Sequence, residues 1–100
     1  MPGEFAEFQA RDARLVILKE LAGQTDGRLN ESVLVYALES FGHRASRDYV
    51  RTQLRKLAEV DAVRIGEIGS VMVATLTRAG QDHVERRSIL EGVARPSPEA

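Results

Sequence analysis

Apolar residues recur at intervals of three, four and seven near the start of the chain, and this spacing predicts a first helix over residues 5–22. Its apolar face consists of Phe8, Leu15, Leu18 and Ala22. Gly23 is suited to end this helix, because glycine adopts the left-handed backbone conformation without a steric penalty. Residues 24–27 then predict a turn, and residues 28–29 leave room for a very short extended segment.

Two more helices follow, each introduced by a residue that caps helix N-termini well. Asn30 predicts the start of a second helix that ends at Gly42. Its inward residues are expected to be Leu34, Leu38 and Phe41. Ser46 predicts the start of a third helix over residues 46–59. The buried stripe of that helix is expected to be Val50, Leu54 and Leu57.

The hydrophobic period then changes to alternation, which predicts a β-hairpin over residues 62–77 with its turn at residues 66–70. The side chains predicted to face the helices are Met72, Ala74 and Leu76, and those predicted to face outward are Val71, Val73 and Thr75. Thr77 is suited to cap a fourth helix from residue 78 to about residue 90, which is expected to lean on the first helix or on a second copy.

This order of elements predicts an α+β domain of the winged helix-turn-helix type over residues 1–91. The three helices form its core, the β-hairpin is the wing and a C-terminal helix closes the domain. Residues 92–100, which include Pro96 and Pro98, are predicted to be a flexible tail. One hundred residues suffice for one modest hydrophobic core and not for a second.

Composition narrows the chemistry that this domain can perform. The chain has no Cys, and its two His residues lie forty positions apart, so it lacks a zinc signature. It also lacks the phosphate-binding loop and the serine nucleophile motif, and its acidic residues form no evident pair. We therefore expect no enzyme, no metal and no cofactor. Without an apolar run of membrane-spanning length or a secretory leader, we expect a cytoplasmic protein that does not contact the membrane.

Charge is distributed unevenly along a chain whose net charge is only −1. Residues 44–64 hold six basic and three acidic residues, and the rest of the chain holds eight basic and twelve acidic residues. Within this basic segment, three arginines four residues apart lie along one side of the third helix, and we call Arg47, Arg51 and Arg55 the arginine row. The row indicates a docking face for the DNA backbone, although such arginines also occur simply as the solvated face of a helix.

On this hypothesis the third helix enters the major groove of double-stranded DNA and its cations contact bases and phosphates. The candidate DNA-binding residues are Arg44, Ser46, Arg47, Arg51, Thr52, Arg55 and Lys56. Because one copy makes few phosphate contacts, a homodimer on paired half-sites roughly 34 Å apart is the more workable arrangement. The hypothesis requires the arginine row to face solvent, free of neighbouring carboxylates.

Several segments resemble known families. Residues 46–57 resemble a recognition helix of the winged-helix superfamily, and residues 73–80 resemble the strand, Leu-Thr-x-x-Gly, helix exit of PadR- and MarR-type repressors. Nearly the whole chain is similar to small winged-helix-like proteins of Mu-like phages and prophages, mainly through residues 41–48 and the Val-Ala-Thr-Leu-Thr exit. The resemblance implies a transcriptional regulator or another DNA-associated phage factor.

One departure from DNA-binding wings favours a rival hypothesis. The predicted wing tip carries Glu67 where such wings usually carry a base, and phosphate repels a carboxylate at close range. The alternative is a protein–protein interaction or phage assembly and packaging role that uses the hairpin face without DNA binding. Candidate residues for a partner or for a dimer through the first and fourth helices are Phe5, Phe8, Val71, Val73 and Val84.

Overall fold

The computed structural model describes residues 2–98 and arranges them as four helices and a three-stranded antiparallel sheet. In chain order the elements are α1 (Pro2–Ala22), β1 (Arg28–Asn30), α2 (Glu31–Ser40), α3 (Arg47–Glu59), β2 (Val63–Ile68), β3 (Val71–Leu76) and α4 (Arg78–Val84). The predicted α+β class is confirmed, and the order of elements is compatible with a winged helix. None of the helices within residues 2–98 is long and apolar enough to cross a membrane.

Side-chain caps fix the starts of three helices. The Asn30 side chain accepts a hydrogen bond from the backbone N–H of Val33, and Ser46 Oγ accepts one from Tyr49, both at 3.0 Å. Thr77 Oγ1 accepts a third, from the backbone N–H of Gly80 at 3.1 Å. Each bond satisfies a donor that the first turn of a helix leaves without an intrahelical partner. All three predicted caps are confirmed.

The central strand of the sheet is β3, with β1 on one side and β2 on the other. Ala74 pairs with Leu29 of β1 and with Ile65 of β2, so these three side chains share the face that packs on the helices. Met72 and Ala74 are buried, as predicted, and Leu76 is half-buried. The alternate residues of β3 lie on the opposite face of the sheet.

The core lies between the helices and the inner face of the sheet. The largest fully buried apolar side chains are Ile17, Leu18 and Leu21 of α1, Leu34 and Leu38 of α2, and Val50, Leu54 and Leu57 of α3. The predicted inward residues of α2 and α3 are therefore confirmed, with the exception of Phe41. At roughly 1.5–3 kcal/mol for each buried large aliphatic side chain, this cluster is the main source of stability.

Two helices end earlier than the sequence predicts. Phe41 is the C-cap of α2 and is exposed, because the helix has already ended at Ser40 and Gly42, at φ 88°, turns the chain away. The fourth helix ends at Val84 instead of near residue 90. There Arg86 adopts a φ of 65°, which interrupts the helical path.

Arg14 of α1 is buried although it carries a charge. Its Nε donates to Gln53 Oε1 at 2.8 Å, and its Nη1 donates to the carbonyl of Gly92 at 2.6 Å. These bonds connect α1 to α3 and to the segment after α4. A buried guanidinium is tolerated here because protein acceptors replace its water.

Residues 92–94 pack onto the domain, where the sequence predicts a tail. Val93 is buried, the N–H of Ala94 donates to the carbonyl of Arg11 at 3.1 Å, and His83 Nε2 lies 2.9 Å from the carbonyl of Ala94. The folded unit therefore continues past residue 91. The last two residues of the predicted tail, 99 and 100, lie outside the described residues.

Candidate functional site

The arginine row is positioned by the cap at Ser46 and by the buried stripe of α3. With Val50, Leu54 and Leu57 facing the core, the three arginines are set along the side and the outer surface of the helix. Their environments differ. Arg47 and Arg55 are exposed, whereas Arg51 is partly covered by the rest of the fold.

A buried carboxylate on α2 binds the middle of the row. Glu31 is fully buried, and its Oε1 accepts a hydrogen bond from Arg51 Nε at 2.6 Å. Its Oε2 accepts from Arg51 Nη2 at 2.8 Å and from the backbone N–H of Met72 at 2.6 Å. The paired carboxylate–guanidinium geometry is the strongest form of this interaction. Glu31 thus joins α2, α3 and β3.

Hydrogen bonds determine the protonation of this buried pair. The bonds from Arg51, together with those from Met72 and Arg47, hold the pKa of Glu31 well below its usual range and outweigh the opposing effect of burial. The same carboxylate raises the pKa of Arg51, and Glu67 and Asp48 add to that effect. Arg51 therefore lies within the field of three carboxylates and contributes little net positive potential to the surface.

The arginine row does not meet the condition that the DNA hypothesis places on it. The Arg51 side chain retains only 26% of its exposure, and its Nη2 also donates to the carbonyl of Ser70 in the hairpin turn at 2.8 Å. The Arg47 side chain is 54% exposed, but its Nη2 lies 3.3 Å from Glu31 Oε2. The expectation that the row faces solvent free of carboxylates is therefore wrong for Arg51 and only partly right for Arg47.

The remaining candidate DNA-binding residues lie on the surface of α3 and just before it. Among the described residues, Arg44, Arg55 and Lys56 have no ion pair, and all three are exposed. Ser46 acts as the N-cap and Thr52 is exposed. The outer face of α3 also exposes Asp48 and Glu59, which reduce its net charge. The outer face of α3 therefore carries both positive and negative charges.

A second candidate surface is the N-terminal part of α1, residues 3–9, which we call the α1 arm. Every residue of the α1 arm is exposed, including Phe5 at 63% and Phe8 at 69%. Glu4, Phe8 and Arg11 line a shallow hollow on its outer side. The apolar face of a helix normally faces a core, and the part of the chain that the structure describes does not cover these two rings.

The other predicted interface residues are less exposed than the α1 arm. Val71 and Val73 lie on the outer face of the sheet, half-buried, and Ile68 opposite Val71 is exposed. Val84 is partly buried and packs against the chain's own core, so it is not the free surface residue that the sequence indicates. The α4 helix does contact α1 of the same chain.

Sequence reasoning missed Glu31 as a structural residue. From the sequence, its place in the first turn of α2 indicates only a favourable interaction with the helix dipole. The signal was nevertheless present, because Glu31 precedes Leu34 and Leu38 by three and seven residues and so lies on their buried face. Within residues 2–98, no three carboxylate or imidazole side chains cluster as they would to hold a metal ion.

These observations define a small α+β protein whose candidate sites are surfaces: the outer face of α3 and the α1 arm. The chain belongs to a family of phage proteins, since it is 44% identical over 94 residues to an uncharacterized protein, gp26, of Escherichia phage Mu. That alignment covers 94% of this chain and 97% of gp26.

A bacterial protein is also similar. An uncharacterized protein of Haemophilus influenzae is 37% identical over 75 residues, which are 74% of this chain and 72% of that protein. No family model and no solved structure matches the chain. The predicted resemblance to small proteins of Mu-like phages is confirmed, and the winged-helix assignment stays a prediction.

Proposed function

We propose that this chain is a protein-interaction subunit of Mu-like phages, built on a winged-helix fold, which assembles as a homodimer through the α1 arm. The observation that carries the proposal is the exposure of Phe5 and Phe8 on the α1 arm, every residue of which is exposed. Complete burial of a phenylalanine side chain is worth roughly 1.5–3 kcal/mol, so covering both rings is a substantial driving force for association.

A second copy of the chain suits this surface because its charges are self-complementary. Glu4 and Glu7 lie at the start of the helix and Arg11 follows them; Arg11 pairs with Glu7 of the same helix at 3.2 Å, whereas Glu4 has no ion pair among the described residues. When two arms pack antiparallel about a two-fold axis, the acidic end of one arm lies beside Arg11 of the other copy. An isologous contact of this kind uses the same patch twice and closes at two subunits. The aromatic rings then meet near the axis.

The environment of the arginine row favours this proposal over docking in the major groove. Groove docking needs cations that are free to meet phosphate, and Arg51 is bound to Glu31, with Glu67 and Asp48 close enough to affect its pKa. Removing Arg51 from that site would leave a buried carboxylate without its partner, which is costly. Arg51 is better explained as a structural residue of α3, because its hydrogen bonds to Glu31 and to the carbonyl of Ser70 hold the hairpin against that helix.

Sedimentation equilibrium of the wild type and of a Phe5→Ser, Phe8→Ser double variant tests the proposal. We expect the wild type to sediment with about twice the chain mass of 11.0 kDa and the double variant to dissociate at least tenfold more readily. Tyr36→Ser is the matched control, because Tyr36 is a 74% exposed aromatic residue on α2. A monomeric wild type, or a dimer that only Tyr36→Ser weakens, would contradict the proposal.

DNA binding is a second candidate function, in a form revised by the structure. It is favoured by the exposure of Arg44, Arg55 and Lys56, whose charges no carboxylate of the described residues neutralises through an ion pair. Three phosphate contacts imply a slope of about −2.7 for the logarithm of affinity against the logarithm of salt concentration. Such binding is weak for one chain and strengthens in a dimer.

Fluorescence anisotropy with a labelled random duplex at two salt concentrations tests this candidate. The double reversal Arg55→Glu, Lys56→Glu should abolish binding, and Arg78→Glu on α4 is the control, because Arg78 is also exposed and lies off α3. Reversing Arg51 would be uninformative, since a second carboxylate beside Glu31 damages the fold itself. An affinity that does not change with salt concentration, or that falls equally in the double reversal and in Arg78→Glu, would reject DNA docking by α3.

A further inference from the structure

A cavity of about 390 Å³ lies between the end of α4 and the segment that follows it. Its volume falls within the range of small-molecule sites. His83 at the end of α4 forms one wall, and Arg95 and Pro96 of the C-terminal segment form another. None of the residues discussed for the α1 arm or for α3 lines it.

His83 holds the two walls of this cavity together. The backbone N–H of Leu90 donates to His83 Nδ1 at 3.0 Å, so Nδ1 is the acceptor of this bond. The proton therefore resides on Nε2, which donates to the carbonyl of Ala94 at 2.9 Å. Because both nitrogens are occupied by backbone partners, His83 is a positioning residue and does not itself bind a ligand.

Two guanidinium groups give the cavity its charge. Arg86 and Arg95 line it, and in the part of the chain that the structure describes neither forms an ion pair. Within residues 2–98, no carboxylate lines the cavity. Arg86 also has a φ of 65°, a conformation that non-glycine residues rarely adopt, and its N–H bonds the carbonyl of His83 at 3.1 Å. Backbone strain of this kind often accompanies binding sites.

The rest of the lining is apolar apart from one hydroxyl. Ile89, Pro96 and Pro98 supply hydrocarbon surface, and Ser88 supplies a single hydroxyl group. A fully hydrated anion such as phosphate would lose water against this surface without enough donors to replace it. A carboxylate joined to an apolar body fits both features, since guanidinium binds carboxylate in a paired geometry and the hydrocarbon packs on the apolar wall.

We propose that this cavity binds a carboxylate-bearing ligand with a short apolar body, through Arg86 and Arg95. The ligand is either a small organic acid or the C-terminal carboxylate of a polypeptide that ends in an apolar residue. The site is independent of the α1 arm and does not require the homodimer. It gives the protein a way to recognise a second molecule.

NMR titration of the ¹⁵N-labelled full chain tests the site with defined probes. Hexanoate represents the small acid and acetyl-Gly-Leu represents a polypeptide C-terminus, while hexan-1-ol and inorganic phosphate each lack one half of the proposed ligand. We expect shifts confined to the amides of residues 83–98 with hexanoate or with the peptide. Whichever of these two probes binds more tightly identifies the source of the carboxylate, a small acid or a polypeptide C-terminus.

Variants decide whether the two arginines act as proposed. Arg95→Gln and Arg86→Gly should each weaken probe binding by about tenfold, the effect of losing one charged hydrogen-bonding partner. Glycine also relieves the strain at position 86. Arg87→Gln is the matched control, because Arg87 pairs with Glu85 and does not line the cavity. Absence of shifts, equal binding of phosphate, or equal loss with Arg87→Gln would overturn the proposal.

Discussion

The contacts of Glu31 show how one buried side chain can determine the role of several surface residues. Its two oxygens accept four hydrogen bonds, from Arg51 twice and from Arg47 and Met72 once each. Burying an ionised carboxylate is unfavourable unless such partners replace water. Arg51 is therefore needed to balance the buried charge of Glu31, and it is not free to bind a ligand.

Replacing Glu31 should destabilise the protein without changing its shape. Glu31→Gln keeps one acceptor oxygen but removes the charge that Arg51 faces, and we expect a loss of about 3 kcal/mol in the free energy of unfolding, the scale for breaking a buried ion pair. Urea denaturation measures it. Glu39→Gln on the exposed side of α2 should change stability by less than about 0.5 kcal/mol. Equal effects of the two variants would mean that the buried pair contributes little.

The lowered pKa of Glu31 predicts a dependence of stability on pH. Its pKa in the folded protein lies below the ordinary value of 4.5, so its stabilising contribution is fully present above about pH 4.5 and is lost as the pH falls further. The difference in unfolding free energy between wild type and Glu31→Gln should therefore be constant from pH 7 to about pH 5 and shrink below pH 4.5. If this difference in unfolding free energy grew on acidification, the pKa of Glu31 would be raised by folding instead of lowered.

Gly80 is predicted to be irreplaceable although it lies in a helix. A Cβ atom at this position would collide with the carbonyl oxygen of Ala62 and come within 2.7 Å of Leu76 Cδ1. Alanine favours helices over glycine by about 1 kcal/mol, but overpacking costs typically 1–3 kcal/mol and involves backbone here. We expect Gly80→Ala to lower the melting temperature. Gly66→Ala, with no atom within 4 Å of its Cβ, should leave it unchanged or slightly raised.

At the scale of elements, the starts of α2, α3 and α4 were predictable, whereas α1 begins at Pro2 instead of residue 5 and two helices end earlier than predicted. Caps at Asn30, Ser46 and Thr77 act within three residues, so the sequence displays them directly. The end of α4 depends on tertiary contacts, since Leu90 folds back to bond the ring of His83. Local propensity carries no information about such a contact.

The candidate site shows the same division between local and distant information. The arginine row follows from the helical period alone, and the structure has it where the sequence predicts. The charge of Arg51 is balanced by Glu31, twenty residues before it, and Glu31 in turn accepts a hydrogen bond from the N–H of Met72, 41 residues after it. Likewise Arg14 is buried by Gln53 and Gly92, 39 and 78 residues away. Only the folded chain brings these groups together.

Truncation should reveal where the folded unit ends. A chain that stops after Glu91 loses the buried Val93 and leaves Arg14 Nη1 without the carbonyl of Gly92, so we expect it to be less stable by about 3 kcal/mol. A chain that stops after Arg95 keeps both contacts and should lose less than about 0.5 kcal/mol. Chemical denaturation compares them. Equal stabilities would show that residues 92–94 contribute nothing to the domain.

At the scale of the whole molecule, charge along the sequence differs from charge on the surface. Residues 44–64 carry a net +3, but folding brings Glu31 and Glu67, both from outside that segment, close to Arg51. The surface around α3 is consequently far less basic than its sequence indicates. The most unusual surface that remains is apolar, because Phe5 and Phe8 are exposed side by side on α1.

If that apolar surface joins two copies, thermal stability must depend on concentration. Unfolding of a dimer releases two chains, so dilution favours the unfolded state by mass action. For two 100-residue chains unfolding together, a tenfold rise in concentration should raise the melting temperature by about 3.6 °C, given an unfolding entropy of about 2.1 cal/mol/K per residue near 60 °C. Differential scanning calorimetry over two decades of concentration measures this slope. The Phe5→Ser, Phe8→Ser variant should melt at one temperature throughout, whereas a flat wild-type profile would mean that a single chain is the folding unit and that the α1 arm serves a different partner.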